Sequence, residues 1–367
     1  MSETRSFTLS IIIPTRNRAC ELRQCLDALY RSRIGGMECI VVDDGGTEDC
    51  ASVVQASPLR VTLLRIEQSL GSGAVRNIGA AHARGDVLLF VDDDVCVAPG
   101  NLMSVAEAFA ADSSLGALMG RYDDEPAAPQ FLSRFRNLLH AYTHLTSAGT
   151  ASTFWTGFGA VRKEIFLQHG GFVKRASAMD DVEFGSRLAG FGVRIELRPE
   201  LQVKHLKRWT LISMLRTDLL LRGIPWTVLI WNRRSLPNTL NLRRSSRWSV
   251  VLAYLALGFA TAALAGFMSW LPAALAVAIA VLLNMRFYAY LRARNGNWFM
   301  VRGIGAHWLY LWTAGLSFCI GTGAYFTEQI RRESSRVPAA NEMAPAAAID
   351  PVEEYCHERA SPVVDAS

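Results

Sequence analysis

Short apolar runs alternate with stretches of helical spacing over residues 7 to about 205, and this alternation predicts an α/β fold. The strand-like runs cover residues 9–13, 38–42, 61–66, 87–91 and 193–197, and the helix-like stretches cover 20–30 and 72–84. Apolar runs separated by helices form right-handed βαβ units, and therefore a mostly parallel sheet with helices on both faces. Pro14 is predicted to end the first strand. Ligands of such sheets bind at the carboxyl ends of the strands, where the acidic clusters of this chain fall.

The later part of the chain is different, because residues 248–285 contain no Asp, Glu, Lys, Arg or His. One transmembrane helix needs about 20 apolar residues, so this run predicts two spans, at 248–268 and 272–290, with Pro272 opening the second. A weaker uncharged run predicts a third span at 307–327. Buried helices of a large soluble protein are the alternative; they are disfavoured because a central charge costs ~2.5–3.5 kcal/mol in a span and the long run has none.

Arginines flank the predicted hairpin of spans, and nothing basic lies in its turn. By the positive-inside rule, both ends of the hairpin face the cytoplasm, and the preceding domain faces it too, as in a protein of the bacterial inner membrane. The third span would carry Arg331, Arg332 and Arg336 outside, so that segment either breaks the rule or is re-entrant or interfacial. Residues 328–367 are predicted to form a disordered tail, which lacks apolar periodicity beyond Ser334.

Residues 209–231 are apolar but carry Arg216, Asp218 and Arg222, which is too much charge for a span. They are predicted to be one or two amphipathic helices in the headgroup layer, followed by a basic linker to residue 247. A core helix that packs on the sheet is the alternative. The interfacial interpretation is favoured because the apolar hairpin begins soon afterwards.

Composition narrows the class of protein. The chain has 367 residues, 50% hydrophobic and 19% charged, which excludes a chain that is disordered throughout and a small disulfide-stapled scaffold. The net charge of +5 comes mostly from Arg and suits phosphate or anionic lipid; no nucleic acid partner is predicted. Seven cysteines without a Cys-x-x-Cys pair indicate reduced thiols on the cytosolic side. The polar first eight residues predict no signal peptide.

Three consecutive carboxylates, Asp92, Asp93 and Asp94, follow the apolar run at 87–91. In an extended segment Asp92 and Asp94 point to one side and Asp93 to the other. Two hard oxygen ligands on one side suit Mg²⁺ or Mn²⁺ held jointly with a diphosphate. A solvated acidic turn is the alternative and is equally consistent with the triplet alone.

Two further groups sit at predicted strand or helix ends. Asp43 and Asp44 precede two glycines, which suits contact with a nucleotide base or ribose, or a simple Asp-Gly turn. Gly71 and Gly73 precede Arg76 in a first helical turn, which suits phosphate binding, although helix capping explains the glycines nearly as well.

A third acidic group, Asp180 and Asp181, opens a predicted helix. Carboxylates in a first turn are favoured by the helix dipole, and one of them could instead act as a general base on an acceptor hydroxyl. Farther along, His205 could bind a metal and Arg208 could bind phosphate, or His205 could be a structural residue near the membrane.

The order of these pieces resembles the family 2 glycosyltransferases, and the likeness covers about residues 8 to 210. The pieces are Ile-Ile-Ile-Pro-Thr-Arg-Asn-Arg at 11–18, Val-Val-Asp-Asp-Gly at 41–45, Arg-Asn-x-Gly at 76–79, Phe-Val-Asp-Asp-Asp at 90–94, Thr-Gly-Phe-Gly at 156–159, Gly-Gly-Phe at 170–172 and Asp-Asp at 180–181. The resemblance implies a GT-A fold with a Rossmann-like, mostly parallel sheet in residues 1–208, followed by an α-helical membrane region. It also implies a nucleotide-sugar donor, a divalent metal and inversion at the anomeric carbon.

The resemblance assigns roles by motif. Asp181 matches the Asp of the family's Glu-Asp pair, which is the catalytic base. Asp180 stands where the family has the Glu, and its side chain is one methylene shorter than a Glu. Asp92 and Asp94 match the Asp-x-Asp metal motif, and His205 matches a His that completes the metal site in some members. The segment His205-x-x-Arg208-Trp209 is similar to the Gln-x-x-Arg-Trp motif of processive synthases. The residues expected to bind the nucleotide sugar are Pro14, Thr15, Arg16, Asp43, Asp44, Arg76, Asp92, Asp93, Arg208 and Trp209, and those expected on the acceptor side are Asp180, Trp155 and Gly157.

These observations predict an enzyme that transfers a sugar from a nucleotide sugar to a lipid or lipid-linked acceptor at the membrane, with Mg²⁺ or Mn²⁺ as cofactor. Two alternatives remain open: a processive polysaccharide synthase and a non-catalytic membrane protein that binds nucleotide sugars. The short membrane region, too small to form a polysaccharide channel alone, favours single transfer. The sequence makes no prediction of oligomeric state.

Overall fold

A computed structural model of the protein describes residues 8–173, 179–234 and 240–335. The chain forms two compact units. Within the described residues, the first unit contains 8–129 and 144–208, and the second contains 130–143 and 209–335. Within the described residues, the chain therefore enters the second unit for one short segment, 130–143, and enters it again at residue 209.

Nine strands form one mixed sheet in the described part of the first unit. The order is β3-β2-β1-β4-β8-β6-β9-β5, and β7 pairs with β9. The first four strands of this order are parallel, as predicted, whereas β8, β5 and β7 run antiparallel to their neighbours. The strands are β1 (Leu9–Thr15), β2 (Met37–Asp44), β3 (Val61–Ile66), β4 (Val87–Val91), β5 (Val95–Val97), β6 (Leu115–Tyr122), β7 (Gly149–Ala151), β8 (Phe158–Arg162) and β9 (Arg194–His205).

Helices connect these strands. Those of the first unit place their apolar faces on the sheet, and most of α5 belongs to the second unit. Their bounds are α1 (Ala19–Ser32), α2 (Cys50–Gln55), α3 (Ser72–His82), α4 (Asn101–Ala111), α5 (Phe131–Leu145), α6 (Lys163–Gln168) and α7 (Asp180–Gly190).

Three strands are longer than the sequence indicates, and one of them is β2, which covers Met37–Asp44 rather than 38–42. β1 continues through Pro14 to Thr15, because pairing with β4 stops at Ile12 and the missing N–H of Pro14 costs no bond on that side. β9 extends eight residues beyond the predicted 193–197 and ends at His205. Its pairing with β6 shifts register after Leu197, around Pro199, and then resumes. This extension carries His205 to the ends of the parallel strands.

A cluster of phenylalanines fixes α6 and α7 against the sheet. Phe90 of β4 contacts Phe172 with ring centroids 5.1 Å apart, and Phe172 contacts Phe184 of α7 at 4.9 Å. Phe154 and Phe166 complete the group. All five side chains are buried, so the start of α7, with its two aspartates, is held by the core.

The second unit is helical. Its core cluster joins α5 to the first turns of the last helix through Phe135, Leu138 and Leu139 on one side and Phe287 and Leu291 on the other. The elements that follow residue 208 are α8 (Leu211–Arg216), a π-helical segment (Thr217–Gly223), α9 (Ile224–Arg233), a 3-10 turn (Leu240–Leu242), α10 (Arg244–Leu264), α11 (Leu271–Leu283) and α12 (Met285–Ser335).

The apolar helices differ from the three predicted spans. Within the described residues, α10 alone is long and apolar enough to cross a membrane, and α11 with α12 would be a second crossing only as one span bent by 62°. The predicted second span is broken at Asn284, and the predicted third span lies inside α12, which kinks at Gly296. Residues 328–335 continue α12 rather than starting the predicted tail, and residues 336–367 lie outside the described chain.

Candidate active site

The three aspartates after β4 lie in a turn, and each has different partners. Val95 N donates to the carbonyl of Asp92, which closes the turn. Asp92 accepts a bond of 2.6 Å from Arg76 Nη2, while Asp93 and Asp94 share Nη1 of Arg18 at 2.9 Å each. The expected alternation, with Asp92 and Asp94 on one side, does not occur, because alternation requires an extended backbone.

Asp93 is the most deeply buried member of the triplet, and Asp94 is buried as well. The carboxylate of Asp93 also accepts a bond of 2.8 Å from Thr15 Oγ1. Burial raises the pKa of Asp93 to about 6, with a contribution from Asp94, against the opposing effects of Arg18 and Thr15. Burial would lower the pKa of Arg18, but the charges of Asp93 and Asp94 outweigh it and the pKa rises. Asp93 and Arg18 therefore brace the turn that carries Asp92 and Asp94.

His205 lies beside Asp94. Nε2 of His205 is 3.9 Å from Oδ2 of Asp94, and Leu206 N donates to the carbonyl of Asp94 at 2.9 Å. This contact exists because β5, which follows the turn, pairs antiparallel with β9 and sets Val95 opposite His205. The imidazole stacks on Tyr122, with centroids 4.1 Å apart and planes at 17°.

A carboxylate and an imidazole at this separation fit Mn²⁺ or Mg²⁺ by their donor chemistry. Among the described residues, however, no three His, Cys, Asp or Glu side chains are gathered as a metal-binding group. The third expected ligand, Asp92, is turned toward Arg76 by the bond between them. Completing the predicted set requires a rotation of the Asp92 side chain away from Arg76.

Helix α3 links the aspartate turn to the start of α7. Arg76 is buried, and its Nε has no hydrogen-bond partner among the described residues. One helical turn earlier, Ser72 Oγ lies 3.5 Å from Oδ2 of Asp180. Because residues four apart share a face of a helix, the side of α3 that touches Asp92 also touches Asp180.

The two aspartates of α7 differ in exposure. Asp180 is buried against α3, so close that a Cβ on Gly73 would lie 2.6 Å from its Oδ2. Asp181 is half-buried, and its Oδ1 accepts a bond of 2.8 Å from Val182 N in its own first turn. Asp181 is therefore the more accessible carboxylate of the pair.

Asp43 and Asp44 hold the loops that follow β2 and β3. Asp44 accepts bonds from Leu70 N at 2.7 Å and from Ser69 Oγ at 2.8 Å. Asp43 accepts a bond of 2.9 Å from Gly46 N. This bond belongs to the Asp-Gly turn, which is one of the two alternatives given for these residues from the sequence. Arg16 is exposed and donates to the same Ser69 Oγ, so it borders the loop that Asp44 shapes.

The remaining predicted residues lie in several places. Trp155 packs edge-on against Tyr122 at 4.8 Å, and a Cβ on Gly157 would lie 2.2 Å from the Trp155 ring. Pro14 is half-buried in β1, and Arg208 is exposed after β9. Trp209 is buried in the second unit, where its backbone N–H donates to Ser133 Oγ at 2.9 Å.

The sequence model of glycosyl transferase family 2 matches residues 10–170. These residues therefore resemble a family 2 glycosyltransferase domain. An uncharacterized glycosyltransferase of Haemophilus influenzae is 30% identical over 187 residues, which are 48% of this chain and 60% of that protein. The O-antigen chain rhamnosyltransferase RfbN of Salmonella typhimurium is 23% identical over 213 residues, 55% of this chain and 67% of that protein. The chain thus spans about three-fifths to two-thirds of these relatives.

Among solved structures, the mannosyltransferase PcManGT of Pyrobaculum calidifontis, in complex with GDP-Man and Mn²⁺, has a TM-score of 0.61. It is 20% identical, and the match covers 86% of this chain and 88% of that one. This likeness shows the fold. The mixed, mostly parallel sheet of the glycosyltransferase domain is accordingly the GT-A fold that the sequence predicts.

Sequence reasoning missed several contacts around the glycosyltransferase motifs. Arg18, which neutralises Asp93 and Asp94, lies inside the first motif but was given no role. Asn17 beside it has a φ of 54° and its Oδ1 accepts from Thr47 N at 2.6 Å, which ties the β1 and β2 loops together. The signal was available, because an Asn is among the few residues that adopt this conformation readily. No sequence signal marks Tyr122 as the support of His205.

Proposed function

We propose that the protein is an inverting, metal-dependent glycosyltransferase that moves a sugar from a nucleotide sugar to a lipid or lipid-linked acceptor at a membrane. The observation that carries the proposal is the turn at the end of β4, where Asp92 pairs with Arg76 and Oδ2 of Asp94 lies 3.9 Å from Nε2 of His205. The names of two similar proteins agree with it, since one is a rhamnosyltransferase and the other was solved with GDP-Man and Mn²⁺.

On the donor side, the residues of the chain would bind and orient a nucleoside diphosphate. Thr15, Arg16 and the loop shaped by Asp44 suit the nucleotide, and Arg76 suits a phosphate oxygen through its unused Nε–H. Asp92, Asp94 and His205 would hold Mg²⁺ or Mn²⁺, which neutralises charge on the departing diphosphate. Asp93 would keep the turn in place from beneath.

On the acceptor side, Asp181 would accept the proton of the attacking hydroxyl. Its half-exposed carboxylate at the start of α7 suits this role better than the buried Asp180. A positioned general base contributes about 10²- to 10⁴-fold to the rate. Asp180, Trp155 and Gly157 would shape the acceptor side of the cleft.

A membrane location is supported by the helices of the second unit. Large apolar side chains of the α10–α11 hairpin are exposed, including Phe267 at 85% and Leu264 at 79%. Such a continuous apolar surface requires a cover, and the arginines at the base of the hairpin favour the cytoplasmic face of a bilayer. The glycosyltransferase domain would then face the cytoplasm, where nucleotide sugars are available.

Substitution of the proposed base tests the chemistry. In Asp181→Asn we expect transfer of radiolabelled sugar to a hydroxyl acceptor in membranes to fall by about 10²- to 10⁴-fold, because proton removal is lost. Donor binding, followed by thermal shift with Mn²⁺, should persist. The matched control is Asp27→Asn on α1, which should leave both readouts unchanged. Near-normal turnover in Asp181→Asn would reject Asp181 as the base.

The nature of the product separates the proposal from its alternatives. Radiolabel in a discrete lipid-extractable product supports single transfer to a membrane acceptor. A long polymer would instead identify a processive synthase. Donor binding without any labelled product, across a panel of acceptors, would identify a protein that binds nucleotide sugars without catalysis.

A further inference from the structure

Arginine dominates the charge of the second unit. Residues 209–335 contain 13 Arg, no Lys and three acidic residues, Asp218, Glu328 and Glu333. Asp218 is already paired with Arg136. The unit therefore carries a large excess of guanidinium charge, which its own described carboxylates cannot neutralise. Such an excess favours binding of anionic partners from outside the chain.

Much of this excess lies where two helices begin. Arg243 is the N-cap residue of α10, and Arg244 and Arg247 fall in its first turn. Arg286 is the second residue of α12. Neither helix has an acidic residue in its first turn. Cations at a helix N-terminus oppose the helix dipole, so an anion bound there would relieve an unfavourable arrangement.

The two helix starts are adjacent, and Tyr142 of α5 lies between them. Asn284 Nδ2, just before α12, donates to Ser249 Oγ of α10 at 2.8 Å. The Tyr142 ring is 5.1 Å from Phe287 and 5.2 Å from Tyr290 of α12. Thr143 Oγ1, next in the chain, is 3.3 Å from Oδ1 of Asn241, two residues before Arg243.

Electrostatics agree with this placement. Burial raises the pKa of the Tyr142 hydroxyl, and the charges of Arg243 and Arg286 both oppose that rise. The charges of both guanidiniums thus act on one hydroxyl, in agreement with the adjacency of the two helix starts. Guanidinium and phenol groups are donors that match the oxygens of a phosphate.

We propose that Arg243, Arg286 and Tyr142 bind the phosphate of an anionic membrane lipid at the base of the α10–α11 hairpin. The apolar surface beside the site identifies the ligand as a lipid rather than a soluble phosphate. Trp248 in the second turn of α10 and Leu282 near the end of α11 are each 61% exposed. A phosphate at the arginines would place acyl chains along these side chains. The proposal rests on the proposed membrane location, and not on sugar transfer.

The test measures lipid binding by the full-length protein in detergent, without donor or acceptor. We expect phosphatidylglycerol to raise the Tm and to remain bound in native mass spectrometry, whereas phosphatidylcholine should do neither. Each Arg near an anionic surface contributes about 1 kcal/mol, so Arg243→Gln with Arg286→Gln should weaken phosphatidylglycerol binding about 30-fold. Arg23→Gln, an exposed arginine of α1 in the first unit, is the matched control and should bind as the wild type does.

Three outcomes would overturn the site. Equal phosphatidylglycerol binding by the double variant and the wild type would show that the lipid binds elsewhere. Equal stabilisation by inorganic phosphate would identify a soluble anion. If the double variant does not fold, Tyr142→Phe provides the readout, and unchanged phosphatidylglycerol affinity in that variant would overturn the site as proposed. Transfer activity enters none of these measurements, and a protein that stays soluble without detergent would instead refute the membrane location.

Discussion

At the scale of single residues, three consecutive aspartates have three environments. Asp92 pairs with Arg76, Asp93 is buried against Thr15, and Asp94 lies between Arg18 and His205. The turn makes this division possible, because it points successive side chains in directions that a strand would not allow. A triplet that looks redundant in the sequence therefore has two buried members, Asp93 and Asp94, and one half-buried member, Asp92.

This division predicts different effects of neighbouring substitutions. Asp94→Asn should weaken Mn²⁺ binding at least tenfold, measured by calorimetry in the presence of nucleoside diphosphate, because an amide is a poorer ligand than a carboxylate. Asp93→Asn should change Mn²⁺ affinity far less and should mainly shift the Tm, since its carboxylate faces Thr15 and Arg18. Similar losses of Mn²⁺ affinity in both variants would refute the assignment of Asp94 as the ligand.

At the scale of elements, α3 and α7 meet through a glycine. A Cβ on Gly73 would lie 2.6 Å from Asp180 Oδ2 and 3.3 Å from Phe172 Cβ, so the start of α7 can approach α3 only if residue 73 has no side chain. The approach also fixes Asp181, the next residue. Gly73 is thus a packing requirement of the active site, although the sequence offered it only as a phosphate-binding or capping glycine.

We therefore expect Gly73→Ala to destabilise the protein by about 1–3 kcal/mol, as overpacking does, and to reduce sugar transfer by displacing Asp181. The control is Gly190→Ala at the end of α7, where an added Cβ meets no atom within 4 Å. Chemical denaturation and the radiolabel assay measure the two effects. A Gly73→Ala protein with wild-type stability and transfer would show that the two helices are not held as closely as described.

How far the sequence predicts the fold depends on whether the signal is local. The strands at 61–66 and 87–91 were predicted with their observed bounds, because apolar runs and polar turns mark both ends. The second half of β9 was missed, since Pro199 interrupts the pattern and the pairing resumes only through β6 and β5. The contact of His205 with Asp94 depends on that long-range pairing, so only the resemblance to the family indicated it.

The same limit applies to the helices. The uncharged run at 248–285 correctly predicted that two helices form. It did not predict the break at Asn284 or the continuation of α12 past residue 327. Gly296 has a φ of 82°, which kinks α12. Packing on both sides of the kink, rather than the helix preference of the local sequence, holds the two parts of α12 together. Composition indicates that helices form, whereas tertiary contacts decide where they bend.

At the scale of the whole molecule, the two units alternate along the chain. Residues 130–143 belong to the second unit, although they lie between two segments of the sheet-containing unit. The apolar side chains of α5, Phe135, Leu138 and Leu139, are buried by residues that occur about 150 positions later. The sheet-containing unit and the helical unit are therefore interleaved in sequence, which a division at residue 208 does not convey.

This interleaving determines how the enzyme can be dissected. A fragment of residues 8–208 would expose the apolar side of α5 to water. We expect it to elute as an aggregate in size-exclusion chromatography. Replacing residues 130–143 of that fragment by a flexible Gly-Ser linker of equal length should yield a monomer, because the exposed apolar surface of α5 is removed. If the unmodified fragment is already monomeric, α5 does not need its distant neighbours. Otherwise, α5 makes the helices that follow residue 208 a folding partner of the preceding chain, and not an appendage that can be cut away.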